Sequence, residues 1–150
     1  MKNLIVAREN EKAELERLMN EPTAQMLAVY GRRRTGKTFL IREYFGDNFA
    51  FKHTAVSPME LKERGEGELI YRVQLNEFAA SLRKYGSKDE SPISDWFEAF
   101  HRLEALIDSK RKKGKLVVFI DELPWLDTPR AGFLSAFEHF CNDYVLGKHN

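Results

Sequence analysis

The chain has 150 residues, 43% of them hydrophobic and 31% charged, with a formal net charge of +1. This length suits one domain, and the composition is that of a soluble globular protein rather than a disordered or membrane-inserted one. Because the charge is balanced, the chain as a whole does not attract nucleic acid. Nucleic acid could bind only at local basic patches. The four apolar residues at 4–7 are too few for a signal peptide, so a cytoplasmic location is expected.

The first third of the chain alternates helical and strand patterns. Residues 10–19 predict a short amphipathic helix, and residues 25–30 form an apolar run typical of a buried first strand. A helical pattern resumes over residues 37–45 and is stopped by the sequence at 46–48. A glycine-containing loop therefore lies between a predicted strand and a predicted helix.

The remaining elements continue the same alternation. Residues 49–56 predict a second strand, and residues 68–85 a helix. Ser91 as N-cap and Pro92 at the first helical position predict the start of another helix, which should cover the sheet. A third strand is predicted over residues 116–120, and Thr128–Pro129 should cap a last helix that buries Cys141. This order predicts an α/β fold with a parallel sheet.

The loop between the first strand and its helix matches G-x-x-x-x-G-K-[ST], the pattern of a P-loop. Glycine at both ends of the loop allows backbone N–H groups to approach a triphosphate, and the following helix adds its positive dipole end. Lys37 is predicted to reach the β- and γ-phosphates, and the Thr38 hydroxyl to bind Mg²⁺. The predicted ATP-binding residues are Gly31, Arg32, Arg33, Arg34, Thr35, Gly36, Lys37, Thr38 and Phe39.

Two carboxylates follow the predicted third strand directly. Ligands of parallel sheets bind at the carboxyl ends of the strands, where Asp121 and Glu122 are expected to lie. Asp121 is predicted to hold Mg²⁺ through a water, and Glu122 to polarise the attacking water, with Lys37 as the second catalytic residue. The alternative is that the pair only caps the following turn.

The spacing of the two motifs favours one division of P-loop proteins. A single predicted strand separates them, and a glutamate directly follows the aspartate. Both features are typical of the division with an additional catalytic glutamate and the sheet order 5-1-4-3-2. No D-x-x-G occurs at Asp121 and no N-K-x-D occurs in the sequence, which disfavours a GTPase. Arg32–Arg34 either add positive potential at the γ-phosphate or form a solvated loop tip.

The chain resembles the archaeal-type AAA ATPases, which are related to the signal-transducing STAND ATPases. The resemblance is carried by the segments 6–9, 30–38 and 120–126, with Ala7 where the family usually has glycine. It implies a three-layer α/β/α P-loop fold and, beyond this chain, fourth and fifth strands and a winged-helix region. The chain is therefore expected to be an N-terminal portion whose partner is its own C-terminal region, and to be poorly stable alone.

Two functions are compatible with these patterns. The first is Mg²⁺-dependent hydrolysis of ATP by Lys37, Thr38, Asp121 and Glu122. The second is a nucleotide-gated switch in which bound ATP or ADP orients a C-terminal partner and hydrolysis is slow. Both hypotheses use the same pocket, and turnover distinguishes them.

Overall fold

A computed structural model of the chain describes residues 9–20, 41–42, 44–46, 48–64, 70–110 and 116–145. Residues 41–42 and 44–45 are helical. In the ranges just given, no helix has both the length and the apolar character needed to cross a membrane. The named elements are helix α1 (Glu9–Met19), strand β1 (Phe51–Thr54), helices α2 (Pro58–Arg64), α3 (Ile70–Lys84) and α4 (Trp96–Ser109), strand β2 (Val118–Asp121), a 3₁₀ helix (Leu123–Leu126), helix α5 (Phe133–His139) and a π-helical segment (Phe140–Val145).

The two strands are parallel neighbours. Phe51 lies opposite Val118, and Thr54 lies opposite Asp121. These are the predicted second and third strands, which the order 5-1-4-3-2 places side by side. The predicted first strand and the glycine loop lie outside the described residues, so the rest of that order stays a prediction.

Strand β2 is covered on both of its faces. Val118 and Ile120 pack against the main hydrophobic core, whereas Phe119, between them, packs against a smaller cluster formed by Leu15 and Ile41. Successive side chains of a strand point to opposite faces, so helical residues cover each side. This explains why the sequence of β2 is continuously apolar rather than alternating.

The main core is rich in aromatic side chains that are fully buried or nearly so. Phe78 of α3 meets Trp96 of α4 edge-on at 5.2 Å between ring centroids, and Trp96 meets Phe133 of α5 at 5.1 Å. Phe51 of β1 packs on Phe78 at 5.2 Å. The core thus connects the sheet to three successive helices, and edge-to-face geometry adds to the burial of these rings. Strand β1 packs chiefly against α3, whereas α4, which was expected to cover the sheet, packs chiefly against α3 and α5.

Helix α4 starts later than the sequence predicts. Its N-cap is Asp95, whose carboxylate accepts a hydrogen bond of 2.9 Å from the amide of Glu98. The carbonyl of the predicted N-cap, Ser91, instead accepts a hydrogen bond of 2.6 Å from the guanidinium of Arg102. The carbonyl of Pro92 also accepts a hydrogen bond from Arg102. Prediction of the cap at Ser91 was wrong because a buried arginine, not a helical turn, satisfies this segment.

One further helix boundary differs from the sequence-based expectation, and one helix was not predicted. Helix α5 begins after Gly132, whose φ of 66° gives the left-handed conformation at its N-cap, and not at Thr128–Pro129. Helix α2 was not predicted, because its single buried residue, Leu61, leaves no apolar stripe. Burial of Cys141 is confirmed, and this burial raises the pKa of its thiol.

Candidate functional site

The carboxyl ends of β1 and β2 meet at one edge of the sheet. Thr54 and Asp121 are the last residues of their strands and lie opposite each other. The amide of Ala55 donates a hydrogen bond of 3.1 Å to the carbonyl of Asp121 and extends the pairing by one residue. The structure thus places the acidic pair at the edge where parallel sheets bind ligands.

Asp121 is a buried acidic residue at this edge, with 8% of its surface exposed. A buried carboxylate is unfavourable unless a cation or hydrogen-bond donors compensate its charge. Carboxylate oxygen is also the ligand type that Mg²⁺ prefers. The position of Asp121 at this edge, and its type of side chain, therefore suit a group that meets a cation.

Glu122 has an unusual backbone conformation for a residue with a side chain. Its φ of 58° and ψ of 42° place it in the left-handed region, and it is the N-cap of the 3₁₀ helix that follows β2. Such a conformation costs about 1–3 kcal/mol, and residues that adopt it are enriched at functional sites. The amide of Trp125 donates to the carbonyl of Glu122 at 3.0 Å, closing a tight turn.

A fully buried amide side chain holds this turn against the end of β1. Gln74 of α3 has no exposed surface. Its Nε2 donates to the carbonyl of Val56 at 2.9 Å and to the carbonyl of Trp125 at 3.1 Å, and its Oε1 accepts from the amide of Val56 at 3.0 Å. The segment after the acidic pair is therefore attached to the segment after β1.

Sequence reasoning did not single out Gln74. A signal was present, because Gln74 shares helical spacing with Phe78 and Leu82, both of which lie in the core. A polar residue in an apolar stripe must find partners inside the protein. That position could have marked Gln74 as a buried hydrogen-bonding residue.

A separate cleft of about 360 Å³ lies beside β1. Within it, His53 is 3% exposed, and its Nδ1 lies 2.6 Å from the hydroxyl oxygen of Ser81. Burial lowers the pKa of His53 to about 4, and the nearby Glu77 opposes this shift. Neither Asp121 nor Glu122 lines the cleft. Its lining residues are Arg42, Phe49, Lys52, His53, Thr54, Ser81, Lys84 and Tyr85.

The described structure contains one of the two groups of residues that were predicted to form the site. Asp121 and Glu122 are adjacent at the end of β2, as predicted. The predicted phosphate-binding residues 31–38 and Phe39 lie outside the described residues, so the contact between the two halves stays a prediction. Over the described ranges, His, Cys, Asp and Glu side chains form no group of three or more that could hold a metal ion.

Comparison with known proteins identifies the family. The model of an ATPase domain predominantly from Archaea matches residues 5–142, which is most of the chain. An uncharacterized ATP-binding protein of Methanocaldococcus jannaschii is 40% identical over 53 residues, covering 35% of this chain and 88% of that protein. No solved structure matches the chain. The chain belongs to the family of ATPase domains found predominantly in Archaea.

Proposed function

We propose that this chain binds Mg-ATP and hydrolyses it, using the glycine loop 31–38 and the acidic pair at the end of β2. One observation carries the proposal: a buried Asp121, followed by a left-handed Glu122, ends a strand of a parallel pair. Membership of an ATPase domain family supports it, as does similarity to a protein named for ATP binding.

In this proposal the glycine loop holds the phosphates. Backbone N–H groups of residues 31–38 surround the β- and γ-phosphates, and the ammonium of Lys37 stabilises their charge. The helical residues 41–42 and 44–45 follow this loop in the sequence, consistent with a helix whose N-terminus faces the anion. The loop therefore provides binding and charge stabilisation.

The acidic pair provides the metal ligand and the group that activates water. Asp121 and the hydroxyl of Thr38 would hold Mg²⁺, which would help to neutralise the charge of the phosphates. Glu122 orients the attacking water and accepts its proton. A site of this kind needs few protein ligands, because Mg²⁺ keeps several waters and binds the substrate phosphates. One carboxylate, Asp121, and one hydroxyl, Thr38, are therefore enough for the metal, which leaves Glu122 for the water.

Replacing Glu122 by Gln tests the hydrolytic part of the proposal. The variant should bind Mg-ATP with unchanged affinity and release phosphate at least 100-fold more slowly, because an amide cannot accept the proton of water. Steady-state phosphate release and calorimetric binding measure the two quantities. Asp127→Asn is the matched control. Asp127 is the C-cap of the 3₁₀ helix whose N-cap is Glu122, and its carboxylate has no assigned role.

Three outcomes separate the hypotheses. Loss of turnover with retained binding in Glu122→Gln, and not in Asp127→Asn, supports hydrolysis by the acidic pair. Tight nucleotide binding by the wild type without turnover favours the nucleotide-gated switch. Equal phosphate release by the wild type and Glu122→Gln contradicts the role of Glu122.

A further inference from the structure

We infer that Gln74 is a positioning residue for Glu122, which it holds in place through the backbone of Trp125. The inference rests on the proposed function, because it concerns the water-activating role of Glu122. If it is correct, the activation of water by Glu122 depends on helix α3, although this helix contributes no residue to the predicted nucleotide site.

The hydrogen bonds of Val56 fix the orientation of the Gln74 amide. Its Oε1 accepts from the Val56 N–H at 3.0 Å, and its Nε2 donates to the Val56 carbonyl at 2.9 Å. A rotated amide would place its NH₂ group against the N–H of Val56 and its oxygen against a carbonyl. Only one orientation satisfies both contacts.

The same orientation leaves one Nε2 proton for the carbonyl of Trp125, which it reaches at 3.1 Å. Both donors of the amide are thus used, and the third contact lies on the turn that follows the acidic pair. Trp125 in turn donates its N–H to the carbonyl of Glu122 at 3.0 Å. One residue therefore joins Gln74 to Glu122.

Strand pairing completes a closed arrangement around the acidic pair. On one side, the register of β1 and β2 and the bond from Ala55 to Asp121 fix the end of the strand. On the other side, Gln74 fixes the turn at Trp125. Glu122 lies between these two attachments in a left-handed conformation. The two attachments therefore fix the backbone from which the Glu122 carboxylate extends.

Replacing Gln74 by Met removes the three hydrogen bonds and keeps a side chain of similar length. We expect kcat for ATP to fall 10- to 100-fold while the Kd for Mg-ATP changes less than threefold, because misplacing a catalytic group impairs the chemical step. Combining Gln74→Met with Glu122→Gln should lower kcat no further than Glu122→Gln alone. A purely structural amide would not show this non-additivity.

Tyr144→Phe is the matched control. Tyr144 is a buried residue of the same core, and its hydroxyl donates to the carboxylate of Asp108 at 2.5 Å, with the carbonyl of Glu104 at 3.2 Å; neither partner belongs to the acidic pair. This variant should lose stability and keep the wild-type kcat per folded molecule. If Gln74→Met does not fold, Gln74→Asn, whose shorter side chain cannot span both partners, should show the same selective fall in kcat.

The results separate this inference from the proposed function. If Glu122→Gln abolishes turnover but both folded Gln74 variants keep the wild-type kcat, the positioning role is overturned and the proposed function stands. If Gln74→Met and Glu122→Gln multiply their effects, Gln74 does not act through Glu122. A wild-type protein without ATP turnover would overturn both.

Discussion

The amide of Ala55 donates a hydrogen bond of 3.1 Å to the carbonyl of Asp121, so the main chain directly after β1 holds the residue that begins the acidic pair. Neither carboxylate takes part in this bond. Substitutions of the Asp121 and Glu122 side chains should therefore leave this main-chain bond intact. Urea denaturation of each variant shows whether a change in its activity is accompanied by a change in stability.

Glu122→Gly should stabilise the protein while it removes activity. Glycine adopts positive φ without steric cost, and this gain exceeds the entropy that glycine loses on folding. We expect the free energy of unfolding to rise by up to about 1 kcal/mol. Urea denaturation measures it, together with phosphate release from the same sample.

Arg130→Gly provides the comparison for that variant. Arg130 is the other described residue with a side chain at positive φ, at 61°, and it is exposed. Its replacement should stabilise the protein by a similar amount and leave phosphate release unchanged. A loss of stability in Glu122→Gly alongside a gain in Arg130→Gly would show that the conformation of Glu122 is not strained.

Features of the sequence with a local cause were predicted well. The strand ending at Asp121 was visible from its continuous apolar residues, and burial of that run on both faces is the reason. The position of the acidic pair at the end of this strand was predicted, because the pair directly follows the apolar residues in the sequence. Helix α1 was found from its spacing, and its boundary differs by one residue.

Features that depend on distant residues were missed. The start of α4 could not be predicted from Ser91 and Pro92, because Arg102, which lies 11 and 10 residues further along the chain, donates hydrogen bonds to their carbonyls. The role of Gln74 depends on Val56 and Trp125, which lie 18 and 51 residues away. The sequence shows which residues can form such bonds, but only the fold selects their partners.

Asp95→Ala should destabilise the protein by about 1 kcal/mol, because it removes the N-cap of α4. The second hydrogen bond at this helix start, in which the carboxylate of Glu98 accepts from the amide of Ser94 at 3.1 Å, would remain. Thermal unfolding measures the change. Glu90→Ala, at an exposed position outside the helix, should have an effect near zero; equal losses would exclude Asp95 as the cap.

The buried His53 should make stability depend on pH. Its pKa in the folded protein is about 4, below the ordinary value of 6.5, so the unfolded chain binds the proton more tightly. The contribution of His53 to the free energy of unfolding should be fully present above pH 6.5. The free energy of unfolding should then fall by roughly 3 kcal/mol as pH decreases to 4. His53→Gln lacks the titrating group and should lose less stability over this range. Parallel decreases in the two proteins would contradict the assignment.

The central claim is that Lys37 and Asp121 act on one bound Mg-ATP, and a calorimetric titration of ATP with and without Mg²⁺ tests it most directly. In the wild type, Mg²⁺ should tighten ATP binding. Lys37→Ala should weaken binding in both conditions, whereas Asp121→Asn should reduce the gain from Mg²⁺ by roughly tenfold, or about 1.4 kcal/mol. An undiminished Mg²⁺ effect in Asp121→Asn, or unchanged ATP affinity in Lys37→Ala, would contradict the claim.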